Sequence, residues 1–282
     1  MPESHARILL PPPGQDSPSQ PSSTVARSIT NGPCDRWFGA GELARWSAPV
    51  AAPVPCRVSR QSVLLHEGAR AHSFYIVQAG DFKVSRTAED GYEQVIAFAG
   101  AGDALGLDGL ASEHHLGTVE ALQDAIVYAI PLADLRALRA ANPAFDRCLM
   151  ESLGAHWECM RDMAWLMGAM GADRRTARFL LQLSATMAQR GMSSRRLRLA
   201  MSRRDIAAHL GLAHESISRA MTSLAMAGYL RVVGREIEII DMGGLRQLAA
   251  NTRGHVSEAG ADPAHERAAR HVAMPEPDCA VH

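Results

Sequence analysis

Residues 201–230, MSRRDIAAHLGLAHESISRAMTSLAMAGYL, constrain this chain more than any other stretch. Ser202 is placed to N-cap a short helix, with Asp205 three positions on in the dipole-favoured first turn and Ile206, Ala207 and Leu210 on one apolar side. Gly211 supplies a tight turn. A second helix starts at Ala213 or His214, buries Ile217, Ala220, Met221 and Leu224, and ends at Gly228, a residue type suited to a left-handed cap. Two short amphipathic helices around a glycine turn form a helix-turn-helix. The outward face of its second helix carries Glu215, Ser218 and Arg219, spaced to lie on adjacent turns near the N-terminus, the end that a recognition helix points into the major groove. The chemistry suits base edges: Arg219 can pair bidentately with guanine, Glu215 can accept from cytosine N4, and Ser218 can bond a base or a phosphate. Standing alone, Glu215 and Arg219 would read equally well as an exposed i,i+4 ion pair of about 0.3–0.5 kcal/mol.

Charge separates these two readings. From Asp173 to Arg235 the sequence holds twelve arginines against three acids, a local net charge of +9 in a chain whose overall formal charge is −1. Such a concentration is the electrostatic footprint of a polyanion partner. LRVVG and REIEII (230–240) read as a β-hairpin around Gly234 and Arg235 that forms a wing, with RLRLA (196–200) as a strand before the motif. Arg203, Arg204, His214, Ser216, Arg231 and Arg235 are candidate phosphate contacts, which position a protein on DNA without specifying sequence.

Upstream, residues 58–131 alternate short β-rich runs (SVLLH, FYIVQ, FKVSR, EQVIAFA, GTVEA, AIVYAIP) with glycines, the pattern of a β-sandwich or jelly roll rather than of βαβ units. A short helix is expected from Pro131 to about Ala141, and Asn142-Pro143 starts another. In that helix Leu149, Leu153, His156, Met160, Met163, Met167 and Met170 are spaced 4,3,4,3,4,3, a heptad seam that either pairs with its own copy or packs on the roll of the same chain. Asp173 is a candidate cap for a helix reaching Gln189. A two-fold dimer would present two recognition helices about one DNA turn apart and so demand a pseudo-palindromic operator.

The E-x-x-S-R string from Glu215 to Arg219, together with FAGAGDALGLDGL (98–110), EAL (120–122) and 188–219, resembles the Crp/Fnr family of bacterial transcription factors, the cyclic-AMP receptor and fumarate-nitrate-reduction regulators. The resemblance runs from about Val58 to Leu248 and is nearest to the fumarate-nitrate branch. It implies an α+β fold: a double-stranded β-roll sensor of the cyclic-nucleotide-binding type over 34–142, a dimerisation helix over 143–171 and a winged helix-turn-helix over 172–248. Tails flank these at 1–33, which holds seven prolines, and at 249–282; both compositions are of the kind that does not order itself. The implied function is a homodimeric, cytoplasmic transcription regulator, an activator by analogy, that binds TTGAT-like palindromes and works with RNA polymerase. No membrane span and no apolar leader segment is legible.

Four signals compete for the roll. Cyclic nucleotide requires a cation for its phosphate, yet no Lys or Arg lies between Arg86 and Arg136. In the fumarate-nitrate branch an iron–sulfur cluster takes three closely spaced cysteines before the roll and one in its last strand; here there are only Cys34 and Cys56, with Tyr128 at the fourth position. Both cofactors are therefore disfavoured. Thiol redox would use Cys148 and Cys159, eleven residues apart on one helix, although buried inert thiols are the plainer reading. Haem or metal would need His66, His72, His114 and His115, which lack a ligand spacing. The five cysteines (34, 56, 148, 159, 279) form neither a disulfide framework nor a zinc site. No catalytic residue, cofactor or metal ligand is assigned, and the chain is not expected to be an enzyme. The competing classes are a metal-dependent β-roll enzyme with an accessory basic domain and an architectural DNA binder without sequence preference.

Overall fold

Apolar runs of four to eight residues interrupted by turn residues pair as antiparallel strands. In the computed structural model, which describes residues 34–38, 52–169 and 171–250, they form two four-stranded sheets. The strands are β1 (Pro55–Val58), β2 (Val63–Leu65), β3 (Ser73–Ala79), β4 (Asp81–Thr87), β5 (Glu93–Gly100), β6 (Ala104–Leu105), β7 (Thr118–Ala121) and β8 (Ala125–Pro131). One sheet runs β1-β8-β3-β6 and the other β2-β7-β4-β5. Between them lie Val58, Leu65, Val77, Phe82, Leu105, Val119, Ala121, Ala125 and Val127, all buried. Strand alternation sends Phe82 of β4 into this core and its neighbour Lys83 to the opposite face of the sheet. The turn from β3 to β4 needs Gly80, whose φ is +98° and where a Cβ would collide with Ala125.

A second core seals one end of the roll. The short helix α1 (Asp35–Phe38) buries Trp37 and Phe38 against Phe74, Tyr128, Leu138, Phe145 and Leu149. Trp37 Nε1 donates to the Gly102 carbonyl at 2.9 Å, so its one polar atom is satisfied. Leu138 comes from α2 (Leu135–Ala141), whereas Phe145 and Leu149 come from the long helix α3 (Pro143–Ala169). Asn142 starts α3, its Oδ1 accepting from the Phe145 N–H at 2.9 Å.

The remaining elements are α4 (Ala172–Gln189), β9 (Arg196–Arg198), α5 (Arg203–Leu210), α6 (His214–Met226), β10 (Leu230–Val233), β11 (Glu236–Ile239) and α7 (Met242–Ala250). The chain divides into two compact units, residues 1–160 with 200–209 and residues 161–199 with 210–282. In the second unit α4 packs against α6 and α7, and the wing sheet has the order β10-β11-β9. Asp173 does not cap α4. Gly171 holds the N-cap position, and Asp173, in the first turn, accepts from Ser223 Oγ at 2.9 Å, tying α4 to α6. The tails expected over 1–33 and from 251 onward lie outside the described residues, as do Met170 and Cys279.

Candidate nucleic-acid interface

Helix α5 begins with a reciprocal capping arrangement. The Asp205 N–H donates to Ser202 Oγ at 3.1 Å, and Ser202 donates back to Asp205 Oδ2 from its backbone N–H at 2.8 Å and from its hydroxyl at 2.6 Å. Gly211, at φ +61°, makes the turn, and α6 starts at His214 with Ala213 as its N-cap. Ile217, Ala220, Met221 and Leu224 are buried, as 3.6-residue periodicity requires. Glu215, Ser218 and Arg219 are exposed on the other face. Ser218 Oγ donates to the His214 carbonyl at 3.3 Å, leaving its lone pairs outward. Beside Arg219 a shallow groove is walled by Ser218, Thr222, Ser223 and Met226. Thr222 and Met226 were missed in the sequence, although their spacing from Ser218 and Arg219 places them on the same stripe.

The candidate phosphate contacts divide. Arg204 and His214 are exposed and Ser216 is half-buried. Arg235 is exposed at the wing tip, its carbonyl accepting from the Leu199 N–H at 2.9 Å. Arg231 is held by Glu238 at 3.1 Å, on a strip where Arg196 also faces that carboxylate at 3.8 Å. Arg203 departs furthest from the expectation: it is half-buried, its Nη1 is fully buried and makes no hydrogen bond, and burial pulls its pKa down. Several of the twelve arginines serve the fold. Arg175 donates to the Leu210 carbonyl at 2.9 Å and to the Met167 carbonyl at 2.8 Å, satisfying two helix ends; Arg178 pairs with Asp162 at 3.1 Å; Arg195 donates to the Ile239 and Ile240 carbonyls.

Residues 55–142 match the model of the cyclic nucleotide-binding domain, and residues 174–248 that of the Crp-like helix-turn-helix domain. The fumarate and nitrate reduction regulatory proteins of Escherichia coli K12 and Shigella dysenteriae are each 35% identical over 196 residues, covering 70% of this chain and 78% of theirs. The chain belongs to the Crp/Fnr family of transcription regulators. Among solved structures, FixK2 from Bradyrhizobium japonicum superposes with a TM-score of 0.65 at 26% identity, covering 72% of this chain and all of that one. CooA from Carboxydothermus hydrogenoformans, with a TM-score of 0.60 and 20% identity over 70% of this chain and 88% of its own, shares the fold. As a member of this family the chain is a DNA-binding regulator and not an enzyme. No helix among the described residues is long and apolar enough to cross a membrane.

As a Crp/Fnr protein the chain departs from the expected seam. Leu149 is 1% exposed and is spent on its own roll's core, Leu153 is packed against that core, and only beyond it does α3 emerge. All eight residues 154–161 are exposed, Trp157 at 72% and Met160 at 52%. Met163 is half-buried and Met167 exposed. The outward apolar stripe is therefore Trp157, Met160, Ala164 and Met167, which keeps the 3,4 spacing while shifting its register so that Trp157 stands in place of the expected His156.

In the roll, the segment from Leu107 to Leu116 closes on Asp108. Its carboxylate accepts from His115 Nδ1–H at 3.2 Å, from the Gly109 N–H at 3.1 Å and from the Leu116 N–H at 2.5 Å. His115 is buried there, whereas His66, His72 and His114 are exposed. No group of three His, Cys, Asp or Glu side chains among the described residues is arranged to hold a metal ion. Cys34 is buried and Cys56 half-buried, and Tyr128 is buried in β8. Cys148 and Cys159 differ in setting: Cys159 is exposed, but Cys148 faces the core, its Sγ donating to the Arg36 carbonyl at 2.6 Å. Burial pushes the Cys148 thiol up, away from the thiolate that thiol exchange requires.

Proposed function

We propose that this regulator binds, as a homodimer, a palindrome of TTGAT-like half-sites, and that Glu215, Ser218 and Arg219 read the bases. The observation that carries the reading is the face of α6, where these three side chains stand together and exposed on a helix whose opposite face is fully buried. Arg204, His214, Ser216 and Arg235 are placed to contact phosphates beside it; Arg231 reaches a phosphate only in competition with Glu238. Pairing of two copies through α3 buries the stripe centred on Trp157 and Met160, apolar side chains that the chain's own core leaves in water. The family's fumarate-nitrate members support an activator that meets RNA polymerase, with the roll answering oxygen, redox state or another signal. Against cyclic nucleotide stands the lack of any Lys or Arg between Arg86 and Arg136, and against an iron–sulfur cluster the spacing of Cys34 and Cys56.

The test is fluorescence anisotropy with a TTGAT-N4-ATCAA duplex and with a duplex in which each half-site G·C pair is inverted, at one stated salt concentration. The wild type is expected to prefer the first, with two subunits per duplex. Arg219→Ala should lose about 1–3 kcal/mol per half-site and discriminate less at the guanine. An unchanged ratio between the two duplexes would remove Arg219 from base reading.

A further inference from the structure

Helix α6 carries two more exposed side chains one turn beyond the three assigned to base reading. Thr222 and Met226 stand with Ser218, Arg219 and Ser223 along the shallow groove. At 85%, Met226 is the most exposed large apolar side chain among the described residues. Positions 215, 218, 219, 222 and 226 keep the 3,4 spacing of a single helix face, so this groove continues the face that carries Arg219. Thr222 comes three residues after Arg219, about 4.5 Å along the helix axis, which is close to one base step of about 3.4 Å. A helix that sets Arg219 on a guanine thereby sets Thr222 beside the adjoining base pair.

The hydroxyls of the groove have no proton left to offer. A Ser or Thr hydroxyl carries one. Ser218 Oγ donates its proton to the His214 carbonyl at 3.3 Å, Thr222 Oγ1 to the Ser218 carbonyl at 3.0 Å and Ser223 Oγ to Asp173 Oδ2 at 2.9 Å. What the groove can present to a partner is therefore oxygen lone pairs, the Thr222 methyl group and the Met226 side chain, whose thioether adapts to the shape it meets. Lone pairs suit the amino groups of adenine N6 and cytosine N4 and oppose guanine, whose major-groove edge shows only acceptors. Thymine alone adds a C5-methyl group. An A·T pair thus supplies both an amino donor and a methyl group, whereas a G·C pair supplies only the donor, next to an edge that the lone pairs oppose.

We propose that Thr222 and Met226 determine specificity by holding the C5-methyl group of a thymine in the base pair that adjoins the guanine read by Arg219. The proposal rests on the reading of α6 given above and deepens it: Arg219 selects the guanine, and Thr222 with Met226 selects an A·T pair at its side. In a TTGAT half-site both neighbours of the guanine are A·T pairs, so a thymine methyl group is present on either side of it. Because the Thr222 hydroxyl is turned back to its own helix, its methyl group carries the discrimination.

The experiment uses the full chain and TTGAT-N4-ATCAA duplexes in which the thymine beside each half-site guanine, on one strand or the other, is replaced by deoxyuridine. That exchange deletes the C5-methyl group and leaves base pairing intact. Anisotropy is measured for the wild type, for Thr222→Ser, which keeps the hydroxyl and deletes the methyl group, and for Met226→Gln, which keeps the length. The wild type is expected to bind one of the uracil duplexes about four-fold more weakly per half-site, the worth of one buried methyl group. Thr222→Ser should bind the thymine and uracil duplexes alike, and Met226→Gln should narrow the difference. Undiminished wild-type affinity for every uracil duplex, or a Thr222→Ser variant as sensitive to uracil as the wild type, would overturn the proposal. The operator reading is tested apart from this, by inversion of the G·C pair. If it fails, sites are selected from random duplexes with the wild type and with Thr222→Ser: a preference for one A·T pair lost in the variant supports the methyl contact, and identical selected sites overturn it.

Discussion

His209 shows how burial turns an ordinary side chain into a pH-dependent element. Its imidazole is enclosed beside Phe98 and Val95, and burial pulls its pKa below the ordinary 6.5, only partly offset by the bond to the Val95 carbonyl. The folded chain therefore keeps the ring neutral, whereas the unfolded chain takes up a proton near pH 6.5. Above that pH both states are neutral and the contribution of His209 is fully present; as pH falls below it, the unfolded state binds more protons and stability is lost. Urea midpoints at pH 7.5 and 5.5 should fall further in the wild type than in His209→Gln, and equal falls would contradict a buried neutral ring. Glu215, Ser218 and Arg219 are the opposite case. They are exposed and cost the fold almost nothing, so their residue types are free to serve recognition, and they were legible in the sequence for that reason. Arg203 looked the same in the sequence as Arg204, and only burial separates them.

Helix α3 changes its work along its length. Over its first two turns Phe145, Cys148 and Leu149 close the roll, and over 154–161 its side chains are exposed. The two halves make separable predictions. Leu149→Ala should cost about 2–5 kcal/mol of stability, as a large-to-small change in a filled core does, and lower the melting temperature. Trp157→Glu should leave melting of the separated subunit nearly unchanged but shift the protein to monomer in light scattering coupled to size exclusion; a dimer that survives would place the interface elsewhere. A heptad count alone could not tell these halves apart, because Leu149 and Met160 obey the same 3,4 spacing and differ only in what covers them. Capping of α5 by Ser202 and Asp205 is local chemistry, and was legible; the N-cap of α4 was misread because Asp173, a good capping residue type, is taken up by Ser223 of another helix.

For the molecule as a whole, the +9 charge of residues 173–235 overstates what DNA meets. Arg175, Arg178 and Arg195 are bound to carbonyls or to Asp162, Arg231 shares Glu238, and Arg203 is withdrawn. If each subunit of a dimer engages two to four arginines on phosphates, log K against log salt should have a slope of about −4 to −7. A slope near −1 would mean that the basic surface is not the interface. Arg204→Gln should make the slope shallower by roughly 2 per dimer while leaving preference between duplexes intact, since a phosphate contact positions without specifying.

The antiparallel roll, the helix-turn-helix and the wing follow from information that is local in the chain. Period-two and period-3.6 patterns, a capping pair and turn glycines act within one element, so a sequence is enough to read them, and six of the eight roll strands were visible this way. Strands β1 and β6 were not: β6 has only two residues, and β1, Pro55–Val58, opens on a proline and carries an arginine in place of an apolar run. What the tertiary structure decided is which equivalent side chains are covered. It put Leu149 inward and Trp157 outward, withdrew Arg203 while leaving Arg204 in solvent, and set Lys83 among three carboxylates from β5, β7 and α5, residues separated by up to 122 positions. Burial and charge pairing are sums over neighbours far apart in sequence, and those neighbours exist only once the sheets and helices have packed.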